Sequence, residues 1–233
     1  MKNKSVLKPT SSDQEIEAFL QQARQLSVPQ QGDARLIFAL DATASREKTW
    51  DHACHLQSEM FLQTQDLGGL SVQLCHYGGM QQFSASQWLK NTDSLLNQMN
   101  HVQCLGGHTQ IARLLQHSLK QTRQEAVQAI IFIGDCVEEP ADFLCQLAGQ
   151  LGIHATPLFI FQEGHDISAA HTFKQMAQLS GGAYCRFDNT SASTLKALLS
   201  AVAIYATGGR KALLKYANQG HPDILQLTHQ LKP

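Results

Sequence analysis

The sequence predicts an α/β fold with a doubly wound, Rossmann-like sheet that is mostly parallel and carries helices on both faces. Two observations support this prediction. The apolar runs at 36–40 and 129–133 are continuous rather than alternating, as expected of parallel strands that are buried on both faces. Such runs also alternate along the chain with segments in which apolar residues recur every three or four positions, which is typical of amphipathic helices. We expect about five parallel strands and one antiparallel strand at an edge.

The chain divides into a leading segment, one α/β domain and a tail. Residues 1–33 contain an amphipathic helix, in which Ser12 and Glu15 form a capping box, followed by a linker. Residues 34–207 hold the alternating strands and helices, and their length suits a single domain. Residues 208–233 begin with a glycine pair and contain two short amphipathic pieces, so we interpret them as an appended tail.

In the first half of the domain, the strands come from apolar runs and the helices from apolar residues at helical spacing. Residues 34–40 form the first strand, which stops at an aspartate, and one broad apolar face then predicts a helix over 46–63. Residues 70–77 form the next strand, and the alternating segment 80–88 is placed beside it as the antiparallel edge of a hairpin. A glycine pair then precedes a helix within 106–121, with its leucines directed inward.

The second half of the domain repeats the alternation. Its strand at 126–135 again ends in an aspartate, and Pro140 suits the first turn of the helix that follows. Glu163 and Asp188 come at the ends of the two later strands. The remaining predicted elements are a helix over 140–152, a strand over 153–161, a helix over 167–182, a strand over 183–188 and a helix over 191–207.

Composition argues against nucleic acid and membrane partners. The formal net charge is −1, the pI is about 6.8 and only 16% of residues are charged, so the chain lacks a basic footprint for polyanions. The N-terminus has no apolar core of the kind a signal peptide needs, and we therefore expect a soluble, cytoplasmic protein. The six cysteines are scattered without C-x-x-C spacing, which favours reduced thiols.

Two aspartates, Asp41 and Asp135, follow the most apolar strands. Ligands of open α/β sheets bind beyond the carboxyl ends of the strands, and a carboxylate buried there costs free energy unless a cation or donors compensate. Thr43 and Ser45 follow Asp41 at alternate positions, and Thr109 could bring a third hydroxyl from a separate loop. Carboxylates and hydroxyls are hard oxygen donors, which suit Mg²⁺ or Mn²⁺ and are poor ligands for Zn²⁺ or Cu²⁺.

This pattern resembles the von Willebrand factor A (VWA) domain, whose metal-ion-dependent adhesion site (MIDAS) reads D-x-S-x-S, then a distant threonine, then a distant aspartate. The five positions are matched in order by Asp41, Thr43, Ser45, Thr109 and Asp135. Thr43 stands where serine is usual, so the hydroxyl is kept and a methyl group is added. The resemblance covers roughly residues 34–207 and implies the VWA fold.

The resemblance implies a non-enzymatic binding module that depends on Mg²⁺ or Mn²⁺. In the family pattern the three hydroxyl residues hold the ion directly or nearly so, and the two aspartates bind it directly or through water. A carboxylate from a protein partner would complete the coordination of the metal. Because the N-terminus shows no export signal, the expected role is an intracellular adaptor or assembly factor.

Glu138 and Glu139 lie close to Asp135 in the sequence, and three roles are open to them. They could occupy the open coordination position of the metal as an internal gate, or repel acidic partners. They could also cap the following helix at Pro140, which we favour because carboxylates are stabilising at helix N-termini.

The enzyme alternative is a Mg²⁺-dependent phosphatase of the haloacid dehalogenase type, with Asp41 as the nucleophile. That chemistry needs a general acid two residues later, where this chain has Thr43. A simpler alternative is that Asp41 and Asp135 only cap helices, which leaves the hydroxyl residues unexplained. Cys136 directly follows Asp135 and could be reactive. The histidines and cysteines of the chain could also suggest a zinc or redox site, but surface histidines and core cysteines are the simpler interpretation.

Overall fold

The computed structural model describes residues 34–46, 70–187, 200–204 and 206. Within these ranges the strands are β1 (Ala34–Asp41), β2 (Leu70–Gly78), β3 (Gln82–Ala85), β4 (Ala129–Gly134), β5 (Leu158–Glu163) and β6 (Tyr184–Phe187). They form one sheet in the order β3-β2-β1-β4-β5-β6. Five strands run parallel and β3 runs antiparallel to β2 at an edge. The predicted mixed sheet is confirmed.

Several predicted segments lie outside the described residues. These are the leading segment 1–33, the helix over 46–63 except Arg46, the strand-end residue Asp188 and the tail 208–233. Of the helix predicted over 191–207, the structure describes residues 200–204 and 206, and these are helical.

Helices cover both faces of the sheet, as predicted. In the described part of the chain they are α1 (Thr92–Asn100), α2 (Ile111–Gln124), α3 (Ala141–Ile153) and α4 (Ile167–Ser180), with a short 3₁₀ helix at Ala44–Arg46. One apolar core lies between the sheet and α2, α3 and α4. A second core lies on the opposite face, against α1 and the helical residues 200–204 and 206. None of the described helices combines the length and apolar character needed to span a membrane.

The helix α1 is a feature that we did not predict from the sequence. The side chain of Asn91 caps it by accepting a hydrogen bond of 2.7 Å from the backbone N–H of Asp93, and Leu95 and Met99 bury its inner face. An asparagine followed by two apolar residues four positions apart is a helix-start pattern, so the signal was present but short.

The predicted boundary between α3 and β5 is wrong by several residues. We placed Ile153 at the start of the strand, but it ends the helix and is 84% exposed. The chain then turns through Ala155, whose φ of +53° is left-handed, and the strand begins at Leu158. An apolar residue at the exposed end of a helix therefore mimicked the first residue of a strand.

The carboxyl ends of β1 and β4 meet at the point where the sheet changes direction. From β1 the chain moves to β2 on one side, and from β4 it moves to β5 on the other side. Leu40 pairs with Ile133, so Asp41 and Asp135 lie just beyond this pair at the same edge. In doubly wound sheets this switch point is where ligands bind.

Candidate metal centre

Asp41 is a fully buried carboxylate that is held by two hydrogen bonds. It ends β1 with 0% of its surface exposed. Its Oδ1 accepts a bond of 2.8 Å from the backbone N–H of Thr43, and its Oδ2 accepts a bond of 3.1 Å from the hydroxyl of Tyr77. Asp41 and Tyr77 are also direct partners in the register of β1 and β2. The protein itself therefore fixes both oxygens of this side chain.

Tyr77 is buried beside negative charge. Its hydroxyl pKa is raised well above the usual value, first by burial and then by the carboxylates of Asp41 and Glu139. The phenol therefore stays protonated at neutral pH and remains a donor to Asp41. We did not identify Tyr77 from the sequence, where it lies within an apolar strand.

The loop after Asp41 carries the two hydroxyl residues of the predicted site. Thr43 is 5% exposed and Ser45 is exposed, and their hydroxyl oxygens are hydrogen-bonded to each other at 3.0 Å. Ser45 lies in the 3₁₀ helix, which turns the chain so that the alternate residues Thr43 and Ser45 face one another. The alternate spacing seen in the sequence therefore brings these hydroxyls together.

The loop that carries Thr109 is fastened to the loop that carries Thr43. The backbone N–H of Leu105 donates to the carbonyl of Ala42 at 2.9 Å, and Thr43 and Leu105 form an isolated parallel bridge. A Cβ atom at Gly107 would lie only 1.9 Å from the carbonyl oxygen of Gly79, so the close approach of the Thr109 loop to the turn after β2 requires glycine at position 107. Gly107 is thus a packing requirement of the site, whereas a Cβ atom at Gly106 would meet open space.

Thr109 is bonded to the two glutamates that follow Asp135. Its hydroxyl donates to Oε2 of Glu139 at 2.9 Å and accepts from the backbone N–H of Glu138 at 3.1 Å. Its own backbone N–H donates to Oε2 of Glu138 at 2.7 Å. Thr109 is 5% exposed, so these bonds are largely shielded from water. They attach the loop before α2 to the loop after β4.

Glu139 caps a helix, but not the one that we predicted. Its carboxylate accepts bonds of 2.9 and 2.7 Å from the backbone N–H groups of Ile111 and Ala112, in the first turn of α2. The residue at the N-cap of α2, Gln110, makes no side-chain cap, and Glu139 supplies this function from another loop. The following helix, α3, begins after Pro140 without any side-chain cap. The prediction that the glutamates cap the following helix is wrong.

Asp135 carries the one feature of this centre that calls for an external ligand. Its Oδ1 is buried and has no hydrogen-bond partner among the described residues. A carboxylate oxygen in this situation costs about 1–3 kcal/mol or more unless a donor or a cation satisfies it. One ligand atom each of Asp135, Asp41 and Cys136 lie within 4.8 Å of one another. This donor set fits a divalent metal ion.

The thiol of Cys136 lies close to the carboxylates of the two aspartates. Burial raises the pKa of its thiol to about 12, and the charge of Asp135, a hydrogen bond to Asp135 and the charge of Asp41 act in the same direction. The sequence placed Cys136 next to Asp135 but gave no reason to direct its side chain into the crevice. Its position is the second feature that sequence reasoning missed, after Tyr77.

The structure brings some of the predicted residues together directly and others through intermediates. Asp41 and Asp135 converge on one point with Cys136. Thr43 and Ser45 are joined to Asp41 by the turn that follows it. Thr109 connects to the Asp135 side through Glu138 and Glu139. Glu163, which the sequence placed at another strand end, is 9% exposed at the end of β5.

Comparison with known proteins identifies the fold. No protein-family model matches the sequence, and no curated protein matches it. The structure is similar to the VWA domain of SpRpn10, with a TM-score of 0.56, 13% identity, and coverage of 76% of this chain and 98% of that one. It is also similar to an aerotolerance-related membrane protein from Bacteroides fragilis, with a TM-score of 0.53, 16% identity, and coverage of 70% and 96%.

A third similar structure contains an occupied metal site. It is proximal thread matrix protein 1 of the mussel byssus with a zinc-occupied MIDAS motif, at a TM-score of 0.57 and 14% identity. The similarity covers 76% of this chain and 48% of that protein. At such low identity these comparisons show the fold alone. The described six-stranded sheet, in which β3 is the antiparallel edge strand, is consistent with that fold. The chain has the von Willebrand factor A fold.

Proposed function

We propose that the protein is a non-enzymatic, divalent-metal-dependent protein-binding module. The observation that carries this proposal is the buried Oδ1 of Asp135, which has no partner among the described residues and belongs to a side chain that faces Asp41. A metal ion would supply the missing partner of this oxygen and offset the repulsion between two carboxylates. The zinc-occupied MIDAS of the byssus protein, which has a similar fold, supports a divalent ion at this place.

The residues proposed to hold the ion are the five that the sequence singled out: Asp41, Thr43, Ser45, Thr109 and Asp135. Their oxygen donors alone favour Mg²⁺ or Mn²⁺. When bound, the ion supplies an electrophilic centre for a carboxylate oxygen from outside the chain. The chain's own contribution is to fix Asp41 through Thr43 and Tyr77 and to leave one oxygen of Asp135 without a partner among the described residues.

The proposed partner is a protein that presents an acidic side chain. An exposed apolar residue lies beside the site and offers further contact area: Leu105 is 39% exposed. Leu105 is bonded through its backbone to Ala42 and Gly79, so this residue adjoins the loop of Thr43. The chain has a formal net charge of −1, so nucleic acid and anionic membranes are poor partners for it. We propose that it acts as an intracellular adaptor or assembly factor.

The phosphatase alternative requires Asp41 to attack phosphorus with a free oxygen. Asp41 is 0% exposed, and its two oxygens accept bonds from Thr43 and Tyr77. A nucleophile must reach its substrate, so this geometry disfavours Asp41 in that role. Thr43 also offers no carboxyl group for the general acid.

Thermal unfolding with and without metal tests the proposal. Because a ligand that binds the folded state stabilises it by RT ln(1 + [L]/Kd), we expect Mg²⁺ or Mn²⁺ to raise the melting temperature of the wild-type chain and EDTA to reverse the rise. Asp135→Ala should remove this response. Equal melting temperatures with metal and with EDTA would refute a metal-binding role.

A pull-down experiment tests the interaction itself. The wild-type chain should retain partners from a native lysate in the presence of metal, and lose them in EDTA or with Asp135→Ala. Asp142→Ala is a matched control because Asp142 is an exposed acid in the first turn of α3. A partner set that is insensitive to both EDTA and Asp135→Ala would exclude metal-dependent recognition.

A further inference from the structure

The candidate metal centre at the ends of β1 and β4 contains a sulfur atom in addition to its oxygens. The Sγ of Cys136 and one carboxylate oxygen each of Asp41 and Asp135 lie within 4.8 Å of one another. Zinc binds sulfur at about 2.3 Å and carboxylate oxygen at about 2.0–2.2 Å in tetrahedral geometry, so two of its ligands are separated by about 3.5–3.7 Å. The three atoms would therefore have to approach one another by up to about 1.2 Å to share one ion.

The thiol of Cys136 faces both aspartates. Its Sγ lies within 4.8 Å of one carboxylate oxygen of Asp41 and of one carboxylate oxygen of Asp135. By contrast, Cys75 and Cys185 are fully buried in the two apolar cores. Cys145 lies on α3, where its thiol is bonded to Gln175. Cys136 thus differs from these cysteines in facing two carboxylates.

A sulfur donor changes which metal the site prefers. Mg²⁺ and Ca²⁺ are hard ions that take oxygen ligands, whereas thiolate ligands select zinc and other softer ions. Two carboxylates and one thiolate would also give zinc three protein ligands and leave a fourth position open, as in zinc sites that accept an external ligand. The expectation of Mg²⁺ or Mn²⁺ rests on the oxygen donors alone and does not include this sulfur.

We propose that Cys136 is a metal ligand together with Asp41 and Asp135, and that the site consequently binds Zn²⁺ more tightly than Mg²⁺. This inference rests on the metal site of the proposed function. It adds the identity of the metal and makes the thiol, rather than the hydroxyls of Thr43, Ser45 and Thr109, the third direct ligand of a bound Zn²⁺. The open fourth position is the one that an acidic partner would occupy. The thiol loses its proton to solvent when the metal binds.

Cobalt substitution and zinc titration of the full chain test the inference. The probes are Co²⁺, Zn²⁺ and Mg²⁺ alone, with a phosphine reductant that keeps the thiols reduced. We expect the wild-type chain to show the near-ultraviolet absorption of a cobalt–thiolate bond and to bind Zn²⁺ more tightly than Mg²⁺. Cys136→Ser should lose the absorption and bind Zn²⁺ more weakly by more than about tenfold, which is the lower end of the cost of losing even an outer partner of a metal ligand.

Two matched variants make the result specific. Cys145→Ser should keep both the absorption and the zinc affinity, because Cys145 lies on α3 away from the aspartates. Asp41→Asn should weaken zinc binding, because it removes a charged ligand. A cobalt–thiolate band and zinc affinity that survive in Cys136→Ser would overturn the assignment of the thiol.

The failure of this inference is distinguishable from the failure of the proposed function. If Asp135→Ala abolishes metal binding while Cys136→Ser binds Zn²⁺ as the wild type does, the metal-dependent module stands and the thiol ligand is refuted. If the wild-type chain binds Mg²⁺ more tightly than Zn²⁺, the zinc preference is refuted. If the wild-type chain binds none of these three ions and no Mn²⁺ either, both the inference and the proposed function are refuted.

Discussion

The candidate centre has two halves: the β1 half contains Asp41 and Thr43, and the β4 half contains Asp135 and Thr109. Each half has an aspartate and a threonine, but the protein anchors these side chains in opposite ways. In the β1 half Asp41 is fixed by two donors, whereas the hydroxyl of Thr43 is bonded to the exposed hydroxyl of Ser45. In the β4 half Asp135 has a buried oxygen without a partner among the described residues, whereas Thr109 is fixed by two glutamates.

This arrangement assigns different groups to folding and to metal binding. Each half contributes one group that the fold itself satisfies and one group whose bonds are weaker or incomplete. A site in which every ligand was already satisfied would gain little from a metal ion, and a site in which none was satisfied would be costly to fold. The contrast between the halves predicts different responses to the same kind of substitution.

The largest effect is expected when the two aspartates are compared without metal. Asp41→Ala removes two bonds to a buried carboxylate, each worth about 1.5–3 kcal/mol, so the free energy of unfolding should fall by about 3 kcal/mol or more. Asp135→Ala removes a carboxylate oxygen that is unsatisfied in the described structure, so the free energy of unfolding should stay within about 1 kcal/mol of the wild type or rise. Urea denaturation in EDTA measures both.

A smaller change at Asp41 serves as the control. Tyr77→Phe keeps the aromatic ring, which packs beside Phe132 at 6.3 Å between centroids, and removes one of the two bonds to Asp41. Its loss of stability should have the same sign as that of Asp41→Ala and be smaller. Equal losses for Asp41→Ala and Asp135→Ala in EDTA would show that the two halves are anchored alike.

A second effect is expected at the glutamates of the β4 half. Glu139→Ala removes the cap of α2 and one bond to Thr109, and losing a helix cap typically costs about 0.5–2 kcal/mol. Glu138→Ala should cost less, because its carboxylate bonds to the N–H of Thr109 and to the largely exposed His108. Urea denaturation measures the difference, and amide hydrogen exchange should accelerate at Ile111 and Ala112 in Glu139→Ala. Unchanged exchange at these two amides would contradict the capping role.

The sequence was sufficient to predict the sheet and the proximity of the two aspartates, because both follow from rules that act along the chain. Continuous apolar runs identify buried parallel strands, and the residues after such strands gather at one edge. The contact between Asp41 and Tyr77 depends instead on the register of two strands. That register follows from packing between elements, so no pattern within either strand reveals it.

The interactions of Glu139 and Cys136 were beyond sequence reasoning for a related reason. Glu139 directly precedes Pro140 and the start of α3, which suggests a local cap, but its carboxylate bonds to residues 28 and 27 positions earlier in the chain. The loop after β4 sets the direction in which Cys136 points, and a loop has no fixed periodicity from which to infer it. Residues in regular elements were therefore easier to place than the side chains of loops.

A third comparison separates the two threonines, and it includes the smallest expected effect, that of Thr43→Val. Thr109→Val removes a buried hydroxyl that donates to Glu139 and accepts from the N–H of Glu138, so the free energy of unfolding in EDTA should fall by about 1–3 kcal/mol. Thr43→Val removes one bond, to the exposed Ser45, and should cost about 0.5–1 kcal/mol.

Adding metal tests whether the hydroxyl of Thr43 is a ligand of the ion. If both hydroxyls take part in holding the ion, Thr43→Val should reduce the metal-induced rise in melting temperature despite its small cost in EDTA, since its hydroxyl is then lost from the metal site. Thr43→Ser keeps the hydroxyl and should keep the rise. A hydroxyl that contributes to binding cannot be deleted without loss of affinity. A full metal response in Thr43→Val would therefore show that Thr43 is not a ligand, and that Asp41 is the residue of the β1 half that binds the ion.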